Sequence, residues 1–293
     1  MILRFRVFVV KNFFRKNKNL DQNYHMAKIK HETVKVLSNI QLGTGYYRIR
    51  LNCHRDYAQA HPGQFVMVRF PQQMDPLLPR PFSIHRLIKQ AGVVTALELL
   101  YKVVGKGTQM LSLRQPGDYL NLTGPLGHGF AVAAGVEHIK IAAGGIGVAP
   151  MIFLLDYLYE QKHDLAGVEV FLGGRSKADL LCLDEFSNFG LPLHLTTDDG
   201  SSGDRCLVTD PLEIAVVENR PDIIFACGPM EMIACVAGIA EKHGVTCQVS
   251  IEAMMACGMG ACLGCAVAGR KSSDKYLHAC LNGPVFDISE LKL

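Results

Sequence analysis

Cys257-Gly-Met-Gly-Ala-Cys262-Leu-Gly-Cys265, then fourteen residues and Cys280, sets four thiols in a C-x4-C-x2-C…C pattern. Thiolates are soft ligands, and this is the plant-type spacing for a [2Fe–2S] cluster. The loop chemistry agrees. Gly258, Gly260 and Gly264 stand between the first three cysteines, and a short loop wrapped on a cluster needs left-handed positions and close backbone approach, which glycine adopts at least cost. Four cysteines also suit tetrahedral zinc. Zinc modules usually pair two short knuckles, however, and here there is one short pair and a distant fourth cysteine.

The rest of the chain has to explain why a cluster is there. Its 293 residues suffice for two domains or one large one. With 49% hydrophobic and 19% charged residues a sizeable core is expected, and a net charge of +3 gives no case for nucleic acid. The chain is too long and apolar to need disulfide staples, so its ten cysteines do not mark a secreted scaffold. Cys53, Cys182, Cys206, Cys227, Cys235 and Cys247, outside the motif, read as small buried hydrophobes and fit a reducing cytoplasm. No integral membrane segment is expected. The most apolar stretch, 139–159, is broken by Gly144-Gly145, Gly147 and Pro150.

Residues 1–25 differ in kind. Arg4, Arg6, Lys11, Arg15, Lys16 and Lys18 face one acid, Asp21. The apolar run from Phe5 to Val10 is too short and interrupted for a signal peptide. A disordered extension is expected, with a basic membrane-surface helix as the competing reading. Met26-Ala-Lys-Ile-Lys also looks like a natural start.

From Ile29 to about Phe130 the pattern is short strands. Thr33 to Val36, Tyr47 to Leu51, Phe65 to Phe70, Val93 to Val104 and Tyr119 to Leu122 are rich in β-branched and aromatic residues. Turns at Gly43, Pro62-Gly63, Gly92, Gly105 and Pro116-Gly117 separate them, which predicts a small antiparallel barrel. Two motifs lie within it. Arg80-Pro81-Phe82-Ser83 offers a planar fork for a diphosphate and a hydroxyl for a heteroaromatic ring edge. Leu100-Tyr101-Lys102 precedes Gly105-Lys106-Gly107-Thr108, where a helix could open on a phosphate. Taken singly, each is equally a surface charge or a turn.

After Gly129 strands alternate with helical patterns. His138 to Ala143 runs into Gly144-Gly145-Ile-Gly147-Val-Ala-Pro150 and an apolar helix through Tyr159. Val168 to Gly174, Leu193 to Thr196, Asp222 to Cys227 and Val245 to Ile251 are the next strands, with helices expected at 211–219 and 229–243 and Pro229 at a first helical position. Repeated βα units imply a parallel sheet with its ligand at the carboxyl ends of the strands. Three strand ends carry the right chemistry: Gly144-Gly145-x-Gly147, Gly173-Gly174-Arg175 and Cys227-Gly228-Pro229. The expected architecture is α/β plus all-β: 1–25 an extension, 26–130 a barrel, 131–248 a nucleotide-binding domain and 249–293 a cluster domain.

Arg-x-aromatic-Ser, Gly-Gly-x-Gly-x-x-Pro and Cys-Gly-Pro in this order resemble the ferredoxin–NADP reductase superfamily. With the four-cysteine loop added, the chain resembles the electron-transfer subunits of class B dihydroorotate dehydrogenase over roughly residues 27–288. The resemblance implies FAD held by Arg80, Pro81, Phe82, Ser83, Leu100, Tyr101, Lys102, Gly107 and Thr108. It implies NAD(H) at Gly144, Gly145, Gly147, Cys227, Gly228 and Pro229, and a [2Fe–2S] cluster on Cys257, Cys262, Cys265 and Cys280. Phe82 stands where the superfamily often has tyrosine; it can still cover a flavin but brings no hydroxyl.

Together these centres would form a relay. Nicotinamide exchanges two electrons as hydride, a cluster exchanges one, and a flavin between them does both. No catalytic triad or carboxylate pair is required. The resemblance names the partner as an FMN-containing catalytic subunit that oxidises dihydroorotate to orotate in pyrimidine biosynthesis, assembled as a heterotetramer of two of each. The alternative is the small subunit of an NADH-dependent ferredoxin:NADP oxidoreductase or sulfide dehydrogenase. Some of those carry aspartate at the first cluster position, where Cys257 stands here. NAD rather than NADP rests on the resemblance alone, since Arg175 and Arg205 are too few to mark a 2′-phosphate and Asp198 or Asp199 could face a ribose. A zinc-stabilised binding module and a stand-alone diaphorase are the remaining readings.

Overall fold

The computed structural model describes residues 29–71, 75–270 and 275–293. The expectations for residues 1–25 lie outside the described residues.

Six strands close the first unit: β1 (Lys30–Gly43), β2 (Tyr46–Asn52), β3 (Phe65–Arg69), β4 (Arg80–Gln90), β5 (Val93–Lys102) and β6 (Tyr119–Leu126). Their order round the barrel is β1-β2-β5-β4-β3-β6, all antiparallel. Side chains alternate across each strand. Val34 and Val36, Ile49 and Leu51, Val66 and Val68, Leu97 and Leu99, and Leu120 and Leu122 therefore fill the interior. Closure leaves no open edge for another chain to pair with. A short helix, α1 (Lys106–Ser112), comes after β5. The Arg80-Pro-Phe-Ser motif is the first third of β4, a strand that the sequence reading treated only as a motif.

The second unit is built on five parallel strands: β7 (Ile139–Gly144), β8 (Val168–Gly174), β9 (Leu193–Thr197), β10 (Ile223–Cys227) and β11 (Thr246–Ser250). Their order in the sheet is β11-β10-β7-β8-β9. They alternate with α2 (Val148–Glu160), α3 (Leu183–Ser187), α4 (Thr209–Glu218) and α5 (Met230–His243). α2 is apolar nearly all round because it is covered on two sides. Phe153 joins the barrel core, whereas Met151, Ile152, Leu154, Leu155 and Leu158 join the sheet core. Each such side chain contributes roughly 1.5–3 kcal/mol on full burial. α5 opens one residue later than expected: Pro229 is extended and Met230 is the first helical residue. It closes on Gly244 at φ 63°, a left-handed cap suited to glycine.

The tail departs from a wholly parallel sheet. Beyond a small hairpin, β12 (Ala266–Ala268) with β13 (Tyr276–His278), the chain returns as β14 (Val285–Asp287). This sixth strand of the sheet pairs antiparallel with β11. It covers what would be an exposed parallel edge. Phe286 is buried there, and the Ile251 N–H donates to the Pro284 carbonyl. Of the six cysteines outside the motif only Cys247 is fully buried, and Cys235 is exposed on α5. Reading them all as core residues was too simple.

Candidate functional site

In the barrel, β4 and β5 are neighbours, so the two motifs of the first unit lie side by side. Arg80 starts β4 and reaches the first turn of α1; a Cβ on Gly107 would come within 3.1 Å of its Nε. Its Nη1 donates to the Leu78 carbonyl at 2.8 Å. Thr108 does not project outward. Its hydroxyl accepts from the Val104 and Gly105 N–H groups, 2.9 and 3.1 Å away, and so caps its own helix. Strand alternation separates Leu100 from Tyr101. Leu100 faces the nucleotide domain, in one apolar cluster with Ile146 and Val148, whereas Tyr101 turns into the barrel, its hydroxyl donating to Asn39. Phe82 meets Tyr101 edge-on at 5.8 Å. Lys102 reaches the Tyr46 hydroxyl at 2.8 Å and Asp179 at 3.6 Å.

In the sheet, β7 lies between β8 and β10, so the strand order reverses there and a crevice opens at the carboxyl edge. The glycine turn and the Cys-Gly-Pro segment both stand at this crevice, in contact. A Cβ on Gly147 would lie 2.1 Å from the Cys227 carbonyl oxygen, and one on Gly144 would lie 2.8 Å from Met232 Sδ. The β8 end joins them laterally, Gly144 standing opposite Gly173. The β9 end is tied in as well, the Asp198 and Asp199 N–H groups donating to the Gly174 and Arg175 carbonyls. The exposed Asp199 carboxyl is held below its ordinary range by the Ser201 hydroxyl and N–H. Burial pushes the Cys227 thiol up to about 12.

The four cysteines of the tail converge. Cys265 and Cys280 are buried with their sulfurs 3.2 Å apart, while Cys257 is half-exposed and Cys262 exposed. Freed backbone N–H groups aim at sulfur: Met259 and Cys262 donate to Cys257 at 3.5 and 3.4 Å, and Gly260 donates to Cys280 at 3.2 Å. Burial would raise the Cys257 thiol, but the N–H groups around it bring it down to about 7. Cys280, more enclosed and beside Cys265, is pushed up to about 12. Gly258 and Gly260 sit at φ 70° and 78°, as a tight wrap demands. Such a set of convergent thiols with N–H donors fits a [2Fe–2S] cluster. Arg80 stands beside the Gly107 turn of α1, and the Gly144–Gly147 turn and Cys227-Gly228-Pro229 stand together at the carboxyl edge of the sheet.

Two connections join segments far apart in the chain. The cysteine loop rests on the barrel: a Cβ on Gly258 would come within 2.5 Å of Met67 Cγ. Met67 is directly across from Pro81 of the β4 motif. His85, two residues past Ser83, is completely buried against α2 and α3. For His85 the one signal is an imidazole next to Ile84 in a segment without clean alternation. Met67 carried none, since it reads as an ordinary strand residue.

Comparison with known proteins agrees with this geometry. Residues 32–130 match an oxidoreductase FAD-binding domain and 141–238 an oxidoreductase NAD-binding domain. Residues 252–292 match the iron-sulfur cluster binding domain of dihydroorotate dehydrogenase B. Among solved structures, the chain is similar to one of an NADH-dependent reduced ferredoxin-NADP oxidoreductase, with TM-score 0.74 and 27% identity over 88% of this chain and 89% of that one. A ferredoxin NADP+ reductase from Neisseria gonorrhoeae shares the fold at TM-score 0.62 and 15% identity, over 73% of this chain and 92% of that one. Among curated relatives, a dihydroorotate dehydrogenase B (NAD(+)) electron transfer subunit from Desulforamulus reducens is 38% identical over 86% of this chain and 94% of its own length. The one from Geobacillus kaustophilus is 35% identical over 90% of this chain and its whole length. With relatives this similar over most of both lengths, the chain belongs to the family of dihydroorotate dehydrogenase B (NAD(+)) electron transfer subunits.

Proposed function

We propose that this chain relays electrons between NAD(H) and the redox centre of a partner subunit through FAD and a [2Fe–2S] cluster. FAD exchanges hydride with nicotinamide and single electrons with the cluster, and the chain's own part is placement. Arg80 with the first turn of α1 holds the flavin diphosphate, Ser83 meets the ring edge and Phe82 covers it. The turn at Gly144, Gly145 and Gly147, with Cys227, Gly228 and Pro229, receives the dinucleotide. Cys257, Cys262, Cys265 and Cys280 ligate the cluster.

One observation supports this reading: the glycine turn and the cysteine loop each adjoin the barrel. Leu100 of the barrel shares a cluster with the glycine turn, and the cysteine loop rests on Met67 beside Pro81. The partner is an FMN-containing catalytic subunit that oxidises dihydroorotate, assembled as two of each, with NAD+ as acceptor. All ten cysteines are free, which suits the cytoplasm, and no helix among the described residues is long and apolar enough to cross a membrane.

The test is an anaerobic visible spectrum of the purified chain before and after one equivalent of NADH. Flavin bands and broad iron–sulfur absorption that both bleach support the relay. A colourless, zinc-binding protein that no reconstitution restores overturns it. Capture of a larger partner with its own dinucleotide sites, instead of an FMN protein, would turn the partner assignment to the ferredoxin:NADP system.

A further inference from the structure

β4 does not run evenly against β5. Ile84 pairs with Leu99 and Arg86 with Glu98, so two residues of β4 advance against one of β5 and His85 is the extra residue of a bulge. Bulges re-aim side chains and gather beside functional sites. This one turns both His85 and Arg86 toward the nucleotide domain. Nδ1 of His85 is 3.1 Å from the Ala149 carbonyl in the first turn of α2; a carbonyl only accepts, so Nδ1 is protonated and donates. Nε2 has no well-aligned partner and faces Glu185 Oε2 at 3.4 Å.

The surroundings make this an ion-paired joint. Arg48 of β2 donates to Glu185 Oε1 at 2.6 Å, and Arg86 reaches Glu185 Oε2 at 3.0 Å and Asp156 of α2 at 2.6 Å. Cys182 completes a cluster of nitrogen, sulfur and oxygen within 4.8 Å. Two guanidiniums already serve Glu185, and burial and Glu185 push the Cys182 thiol up, so the cluster does not suit a cation. The elements it joins matter more. His85 lies two residues from Ser83 of the flavin motif, and Ala149 lies two residues from Gly147 of the dinucleotide turn. It is a direct polar link between the strand that bears the Arg80–Ser83 motif and the helix that follows the Gly144–Gly147 turn.

We propose that His85 is a positioning residue for hydride transfer, its Nδ1–H bond to Ala149 fixing the spacing of flavin and nicotinamide. The proposal rests on the relay reading above. Small displacements of reacting groups are costly, about a hundredfold in rate for 1 Å.

The experiment compares two polar replacements in the FAD- and cluster-loaded chain. His85→Asn keeps a donor where Nδ1 stood; His85→Gln offers one where Nε2 stood. Flavin bleaching by NADH is monitored anaerobically by stopped flow, together with the long-wavelength charge-transfer band of the reduced flavin–nicotinamide complex. Expected is a limiting rate lowered about tenfold or more in the glutamine variant with a weakened band, and most of both retained in the asparagine variant. FAD content and half-saturation by NADH stay near wild type in both. Equal rates in the two variants overturn the proposal, as does a loss of FAD or NADH affinity that accounts for the slower rate. A wild-type flavin that NADH does not bleach overturns the relay reading itself.

Discussion

Glu185 shows how one carboxyl comes to matter at the seam between barrel and sheet. Burial alone would raise it, yet the contact with His85 and the charges of Arg48 and Arg86 hold it at about 2. A carboxyl depressed in the folded chain stabilises it fully above its unfolded value, and that contribution is lost as pH falls through the folded value. The window therefore runs from pH of about 4.5 down to about 2, and the contribution at stake is on the order of 3 kcal/mol. Glu185→Gln should cost about 3 kcal/mol at neutral pH, because Arg48 loses its counter-charge and Arg86 is left with Asp156 alone. Its deficit against wild type should shrink as pH falls through the window. Urea unfolding at several pH values measures this, and a deficit that stays constant across the window refutes it. The same residue marks a limit of sequence reading. Its partner His85 is 100 positions away on another domain, and no local pattern announces such a pair. The cluster cysteines are the opposite case, since their spacing states their chemistry.

At the scale of elements, legibility tracked local regularity. The parallel strands and α2 were plain because apolar runs and glycine turns punctuate them. β4 was not read as a strand because Arg80-Pro-Phe-Ser-Ile-His lacks clean alternation and the bulge at His85 shifts its phase. β14 was missed because three residues are too few for a pattern; only its place beside β11 makes it a strand. That place gives it weight, for Phe286 is among the largest fully buried side chains and belongs to the same core as Val249 and Cys280. A Cβ on Gly283 would strike its ring at 2.2 Å, so the turn into β14 is moulded on it. Phe286→Ala should cost about 3–5 kcal/mol. Since Cys280 shares this core, cluster content should fall with it while FAD stays bound in the barrel. Flavin-to-iron ratios of the purified variant measure this, and a full complement of iron would show that β14 does not support the cluster loop.

The whole molecule is arranged so that one barrel serves both neighbours. Its β5 end meets the Gly144–Gly147 turn through Leu100, and its β3 meets the cysteine loop through Met67. The second contact is narrow. Gly258 has φ 70°, directly follows Cys257, and leaves no room for a methyl group above the Met67 side chain, which is itself buried beside Leu126. Gly258→Ala must therefore lift the loop or displace Met67, with an overpacking cost of about 1–3 kcal/mol. The two halves of the relay respond differently to such a change. Gly258 packs on Met67 and Leu126 of the barrel and not on the glycine turn, so the rate at which NADH bleaches the flavin should stay near the wild-type value. Electron passage from flavin to cluster falls off steeply with separation, so the bleaching of the iron–sulfur band should lag behind the flavin. Adding Met67→Ala to Gly258→Ala opens space beneath the new methyl group and should restore part of the lost rate, which a general weakening of the fold would not do. Stopped-flow absorbance at flavin and cluster wavelengths separates the two events in a single experiment. Simultaneous slowing of both would place the effect in the fold, and an unchanged cluster rate would mean that the barrel contact does not set the distance.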